Sequence, residues 1–259
     1  MNFQRLMPEF GPVDVDGLLG GLMLGDRAPA QRPYTVANFI ATADGRVTLQ
    51  GRSGPLGDDG DRAMFHGLRE QVDAILAGTG TLRTERYGRV VRDPQRRARR
   101  VARGLRAEPL ACTITRSGNV PIEIPLFAEP DAGIVIFSAA EIDLGATAAQ
   151  VDVIRLSPAE ITASNVLGRL REDYGVRSLL CEGGPTLFAE LLREGTVDEL
   201  FLTVAPKLAG GGTSPTIATG PALPAAGGLG LQWVLERRGS LYLRYLTASA
   251  SVCFEPPAG

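Results

Sequence analysis

Between Val176 and Leu192 an apolar run stops at a lone carboxylate, a glycine pair follows, and a proline then opens a stretch with apolar residues at helical spacing. Val176 to Cys181 reads as a buried strand, Gly183-Gly184 as a tight turn, and Leu187, Phe188, Leu191 and Leu192 as the inner face of a helix. Pro185 suits a first helical turn, where its missing N–H would have had no partner. Such a unit puts Glu182 at the carboxyl end of its strand, where open α/β sheets bind ligands. The glycines allow close backbone approach, and the free N–H groups at the helix start favour an anion such as phosphate. The plainer alternative is a simple strand-to-helix turn with Glu182 capping a backbone group.

The rest of the chain alternates in the same way. Strands are predicted at Tyr34–Ile40, Asp73–Ala77, Leu110–Thr115, Ala132–Ser138, Val151–Leu156 and Val197–Ala205. Asp58 or Asp59 caps a helix through Met64, Leu68 and Gln71. Leu82 to Glu85 forms a helical turn. A capping box at Ser157-Pro158-Ala159-Glu160 opens a helix that Gly175 ends near Tyr174. Leu231–Arg238 and Ser240–Ala248 read as a hairpin. The expected fold class is therefore α/β: a single-domain mixed sheet flanked by helices, with a C-terminal antiparallel hairpin. Residues 1–32 form an N-terminal arm, either mobile or a short helix packed on a neighbour, and residues 33–250 form the domain.

Charge and cysteine content narrow the function. A net charge of −2 argues against a chain built for nucleic acid. No apolar run reaches the roughly 18 residues that cross a membrane. The first residues lack a signal-peptide core, so a cytoplasmic location is expected. Cys112, Cys181 and Cys253 are odd in number and far apart, a pattern of reduced thiols rather than of disulfides. With one histidine, His66, and no Cys-x-x-Cys pair, no metal site is expected. His66 is read as a helix-packing residue. Arg92 to Arg106 holds seven arginines. Arg96, Arg99, Arg100 and Arg103 share a helix face, taken as solvated, with a phosphate-facing or partner-facing patch as the alternative.

Gly78-Thr79-Gly80-Thr81 is a second glycine turn at a strand end. It is not a dinucleotide fingerprint, because Arg83 stands where the third glycine would be, and no Gly-Lys-Ser/Thr occurs in either loop. Two such loops, each starting a helix, suit a ligand with a diphosphate held by backbone N–H groups and threonine hydroxyls.

In order along Arg32 to Leu246, these motifs resemble the reductase domain of the riboflavin-biosynthesis deaminase/reductases, relatives of dihydrofolate reductase. The resemblance rests on Glu182-Gly183-Gly184-Pro185-Thr186-Leu187, Val197-Asp198-Glu199-Leu200 and Ala205-Pro206-Lys207-Leu208-Ala209-Gly210-Gly211. Asp44-Gly45-Arg46 and Gly78-Thr79-Gly80-Thr81-Leu82 add to it. It implies a dihydrofolate-reductase-like fold, a homodimer, NADPH, and reduction of 5-amino-6-(5-phosphoribosylamino)uracil to its ribitylamino product. Cofactor positions carried over are Thr81, Gly184, Pro185, Thr186 and Leu187; Thr79, Gly80 and Gly183 join them from the glycine loops, and Arg116, just after a strand, or the Arg92–Arg106 stripe is the candidate for the 2′-phosphate. Substrate positions are Asn38, Ser53, Arg69, Arg92 and Glu182. Asp44 and Glu182 are the candidate catalytic carboxylates. The deaminase motifs are absent, Asn38 stands where bifunctional members have lysine, and Ser-x-Trp has become Ser53-Gly54-Pro55. Glu85-Arg86-Tyr87 replaces the usual Asp-Asp/Asn-Pro, and Arg89 a leucine. The alternatives are reduction of another pterin or pyrimidine, such as dihydrofolate, or a non-catalytic nucleotide-binding or RNA-binding protein.

Overall fold

A computed structural model describes residues 1–248. Cys253 and the last two residues of the expected 33–250 domain lie outside the described residues. One sheet dominates. Seven strands are mutually parallel: β3 (Tyr34–Thr42), β4 (Ala74–Leu76), β5 (Leu110–Thr115), β6 (Gly133–Ser138), β7 (Gln150–Arg155), β8 (Ser178–Cys181) and β9 (Glu199–Ala205). The hairpin β10 (Leu229–Arg237) and β11 (Ser240–Thr247) extends it antiparallel from β9. Beyond β10 lie β1 (Asn2–Met7) and β2 (Gly11–Asp14). The order is β2-β1-β10-β11-β9-β3-β8-β4-β5-β6-β7.

β8 is buried along its whole length and β3 at all but one residue, because helices cover both sheet faces. Their sequences therefore read as nearly unbroken apolar runs. Successive β3 residues serve opposite cores: Val36 joins the cluster under α1 (Val15–Gly20) and α2 (Asp59–Gln71). Ala37 and Phe39 join the one under α5 (Ala163–Tyr174) and α6 (Pro185–Arg193). Between them the chain makes α3 (Thr79–Thr84) and α4 (Pro94–Ala102). The connection β3–α2–β4 steps over β8, and β8–α6–β9 steps back over β3. This reversal opens a crevice at the carboxyl ends of the central strands.

Three expectations change. Residues 2–14 are not a mobile arm: they pair as a hairpin on β10, with Gln4 opposite Glu236, and α1 packs on α2. α5 starts at Ala163 rather than near Ser157, with Thr162 as its cap, while Glu160 accepts from the Ser157 N–H in a separate turn. The arginine stripe is a solvated face only in part: Arg99 and Arg103 are exposed, Arg96 and Arg100 are not. Arg100 is fully buried, and its Nη1 donates to the carbonyls of Arg69, Glu70 and Val72 at 2.8, 3.1 and 2.7 Å. Arg96 and Arg99 grip the Glu70 carboxylate at 2.7 Å. The last carbonyls of α2 lack intrahelical partners and carry the negative end of its dipole, so guanidinium groups are drawn there. Cys112 and Cys181 are buried free thiols, and burial pushes Cys181 up to about 12.

Candidate active site

At the carboxyl ends of β3, β8, β4 and β5 lies a cleft of about 790 Å³, the size of a small-molecule site. The two glycine turns meet there. The Gly78 N–H donates to the Gly183 carbonyl at 3.2 Å, and the Glu182 N–H to the Leu76 carbonyl at 3.0 Å. Gly183 and Gly184 have φ of 117° and 87°, which side chains other than glycine's rarely tolerate. A Cβ on Gly184 would meet the Gly78 Cα at 3.5 Å, an ordinary contact, so the positive φ rather than crowding calls for glycine there. Gly184 caps α6 without a side-chain hydrogen bond and Pro185 takes the first helical position, leaving the initial N–H groups open toward the cleft. Thr79, Gly80, Thr81, Gly183, Gly184, Pro185, Thr186 and Leu187 all line this half. At its outer end Arg116 pairs with Glu190 at 2.9 Å and donates to the Ile161 carbonyl at 3.3 Å.

The other half lies between β3 and α2. Asn38, Ser53, Asp61, His66, Arg69, Arg92 and Glu182 line it. Glu182 does not cap a backbone group. Its carboxylate takes Arg69 Nε at 2.6 Å, Arg69 Nη2 at 2.7 Å and the Tyr87 hydroxyl at 2.7 Å. Arg69 Nη1 donates to the Val90 carbonyl at 3.0 Å. Burial opposes the Arg69 charge, but the Glu182 carboxylate holds the guanidinium above its ordinary value. Burial, then the same carboxylate, pushes the Tyr87 hydroxyl well up. Burial also lowers His66 to about 4, assisted by Arg69 and Arg96, so its imidazole is neutral at pH 7. Ser53 donates its N–H and its hydroxyl to Glu85 Oε1 at 3.1 and 2.8 Å, joining two walls of the cleft. Arg89 is engaged by Glu129 and Asp131, whereas Arg92 is exposed and forms no ion pair among the described residues.

Of the residues singled out in the sequence, Asp44 alone falls outside this cleft. It accepts from the Thr42 hydroxyl and from the Ala209 and Gly210 N–H groups at 3.1 and 2.7 Å, which lower it to about 2. It thereby fastens the 42–46 turn to the segment after β9. Conversely, the sequence reading passed over Asp61, and named Glu85 and Tyr87 only as departures from the family pattern. The signal for Asp61 was present: with the helix phase set by Asp58, residues 61, 65 and 69 stack on one face and all three line the cleft.

The profile of the RibD C-terminal domain matches residues 33–237. A 2,5-diamino-6-ribosylamino-4(3H)-pyrimidinone 5′-phosphate reductase of Archaeoglobus fulgidus is 28% identical over 73% of this chain and 87% of its own. The riboflavin biosynthesis protein RibD of Aquifex aeolicus is 26% identical over 71% of this chain, which spans only 49% of that relative. Among solved structures, a pyrimidine reductase-like protein of Corynebacterium diphtheriae superposes with a TM-score of 0.73 at 24% identity, covering 91% of this chain and 99% of that one. A deaminase/reductase of Thermotoga maritima gives 0.66 at 20% identity, over 84% of this chain and 57% of that one. The fold is the dihydrofolate-reductase-like arrangement expected from the sequence.

Proposed function

The chain belongs to the RibD C-terminal domain family, and from that premise we propose that it is an NADPH-dependent reductase of a ribosylamino-pyrimidine 5′-phosphate in riboflavin synthesis. The observation that carries this reading is the meeting of two glycine turns beside a cation-lined pocket in one cleft. The product is the ribitylamino compound. The ring carries a 2-oxo group, as in the uracil expected from the sequence, or a 2-amino group, as in the name of the archaeal relative.

NADPH, when bound, supplies a hydride from nicotinamide C4; the residues present fit it, since the glycine turns leave a side-chain-free cradle at the start of α6. Gly183 to Leu187 and Thr79 to Thr81 hold its diphosphate through N–H groups and hydroxyls. Arg116, held here by Glu190, would take the 2′-phosphate. Arg92 and Arg69 set the positive end of the substrate pocket, with the free Arg92 taking the sugar phosphate. Ser53 and Asn38 hydrogen-bond the substrate. Glu182, its carboxylate fully buried, positions the Arg69 guanidinium and the Tyr87 hydroxyl.

The substrate reacts as the open-chain imine. With one hydride delivered to C1′ and one proton to the exocyclic nitrogen, C1′=N would become C1′H–NH. Water at the cleft mouth supplies that proton, because Glu182 is already committed to Arg69 and Tyr87 and Asp44 stands elsewhere. Holding the two reacting carbons in line is then the main contribution of the protein. The reading includes a cytoplasmic homodimer; among the described residues no helix is long and apolar enough to cross a membrane.

Adding purified protein to NADPH and each ring form of the substrate, while following nicotinamide absorbance, tests the reading. Oxidation that depends on the substrate supports it; its absence with both ring forms contradicts it. Replacing Arg116 with alanine should weaken NADPH binding selectively over NADH, by about tenfold for a lost charge-assisted contact.

A further inference from the structure

Asp61 is a carboxylate placed in the substrate half of the cleft that forms no ion pair among the described residues. It occupies the third position of α2, and its own N–H donates to the cap Asp58 at 2.9 Å. Its carboxylate does not return to the cap N–H as a capping-box acid would, and no arginine or lysine among the described residues pairs with it. The adjacent Arg62 is paired with Asp59 instead. The Thr203 hydroxyl of β9 faces it and favours its charged form. Gly57 packs against it so closely that a Cβ there would lie 2.5 Å from Oδ2.

The neighbouring strand supplies a second unanswered acceptor. Asn38 of β3 lines the same cleft, and its buried Oδ1 has no hydrogen-bond partner. Ile40 pairs in register with Thr203, and Asn38 lies two residues before it on the same sheet face. Toward α2 the cleft therefore presents a carboxylate that forms no ion pair among the described residues and an amide oxygen without a partner. A buried acceptor without a partner is costly, so this wall is complementary to a ligand rich in N–H groups.

We propose that Asp61, with Asn38 Oδ1, is the specificity-determining element of the cleft, accepting paired hydrogen bonds from the N3–H and C2 amino group of a 2-amino-4-pyrimidinone and rejecting a uracil. The proposal rests on the reductase reading above and chooses between its two ring forms. In the 2-amino ring the N3–H and the amino group are adjacent donors and match the two oxygens of a carboxylate. In uracil the C2 carbonyl takes the place of the amino group and faces the carboxylate with like polarity. Sites built on such polar matches reject the mismatched analogue far more strongly than apolar pockets reject a methylene. Burial, with the Asp58 charge, holds Asp61 up to about 6 while the Thr203 hydroxyl opposes the rise, as expected of a carboxylate waiting for donors.

The test uses the full chain and both ribosylamino-pyrimidine 5′-phosphates, the 2-amino-4-pyrimidinone and the uracil. It measures kcat/KM and, by calorimetry with NADP⁺ present, Kd. The wild type should favour the 2-amino ring at least tenfold, on the order of a single lost polar contact. Asp61→Asn, which offers a donor toward the C2 position, should bring that ratio to about one or below, with NADPH affinity unchanged within roughly twofold as a check on folding. A wild-type ratio near one, or a ratio that Asp61→Asn leaves in place, overturns the assignment. If both rings bind but neither is reduced, the reductase reading alone falls, and the Kd ratio still decides the role of Asp61. If neither binds, both fall.

Discussion

Arg69 and Glu182, 113 residues apart in sequence, meet at the floor of the cleft in a two-pronged ion pair of 2.6 and 2.7 Å. One arrives on the last turn of α2 and the other at the tip of β8, so the pair fastens the helix wall to the glycine turn beside it. Both side chains are buried, Arg69 at 9% and Glu182 at 0% exposure. At that depth the pair is valuable mainly because neither member can be left alone.

Glu182→Gln strands the Arg69 charge, and Arg69→Met strands the carboxylate. Each single variant should lose about 3–5 kcal/mol in denaturant unfolding. The double variant Glu182→Gln with Arg69→Met should recover part of that loss. Single variants as stable as wild type would mean the pair does not hold the floor together.

Asp61→Asn should stabilise the protein at neutral pH. The folded-state value of about 6 lies above the ordinary 3.8, because burial disfavours the charged form. Such a group contributes stability that is complete below pH 3.8 and is lost as pH rises through 6. Asp58, Arg62 and the Thr203 hydroxyl face it and are unchanged by the substitution. At pH 7.5 the amide removes the cost, a gain of about 1–3 kcal/mol from a shift of roughly two pH units. The gain in Tm should fade to nothing near pH 4, and a variant less stable at pH 7.5 would contradict the account.

Arg100→Met removes the guanidinium that satisfies three carbonyls at the end of α2. Those carbonyls lose their partner, so a loss of about 2–4 kcal/mol in unfolding is expected. Because Arg100 lies outside the cleft, NADPH affinity in the folded protein should stay within about twofold. A large change in affinity at unchanged stability would refute a structural role.

What the sequence disclosed and what it hid divide by the range of the interactions. Pro185 in a first turn, Gly175 ending α5 and the glycine turns at two strand tips follow from local backbone chemistry. The half of the cleft built on the two glycine turns was legible for that reason. Arg100 was misread because its burial depends on where α2 ends in space, which the spacing of the arginines does not encode. The N-terminal hairpin was missed because β1 finds its partner in β10, near the other end of the chain. Asp61 was overlooked because an acid in a first turn is ordinarily explained by the helix dipole, and only Thr203 and the cleft distinguish it.

Asp44→Asn should leave turnover within about twofold of wild type, since Asp44 stands outside the cleft. Its effect should be on the strap: the amide accepts less well from the Ala209 and Gly210 N–H groups. Those amides should exchange with deuterium faster than in the wild type. A large fall in turnover with unchanged exchange would return Asp44 to the chemistry.

The central claim is that two glycine turns bring a nicotinamide against the sugar carbon of a ribosylamino-pyrimidine. Turnover with NADPH deuterated at C4, one face at a time, follows the transferred atom itself. The account predicts one deuterium at C1′ of the ribitylamino product from one face and none from the other. Deuterium in the pyrimidine ring, or a product unlabelled from both faces, would contradict it.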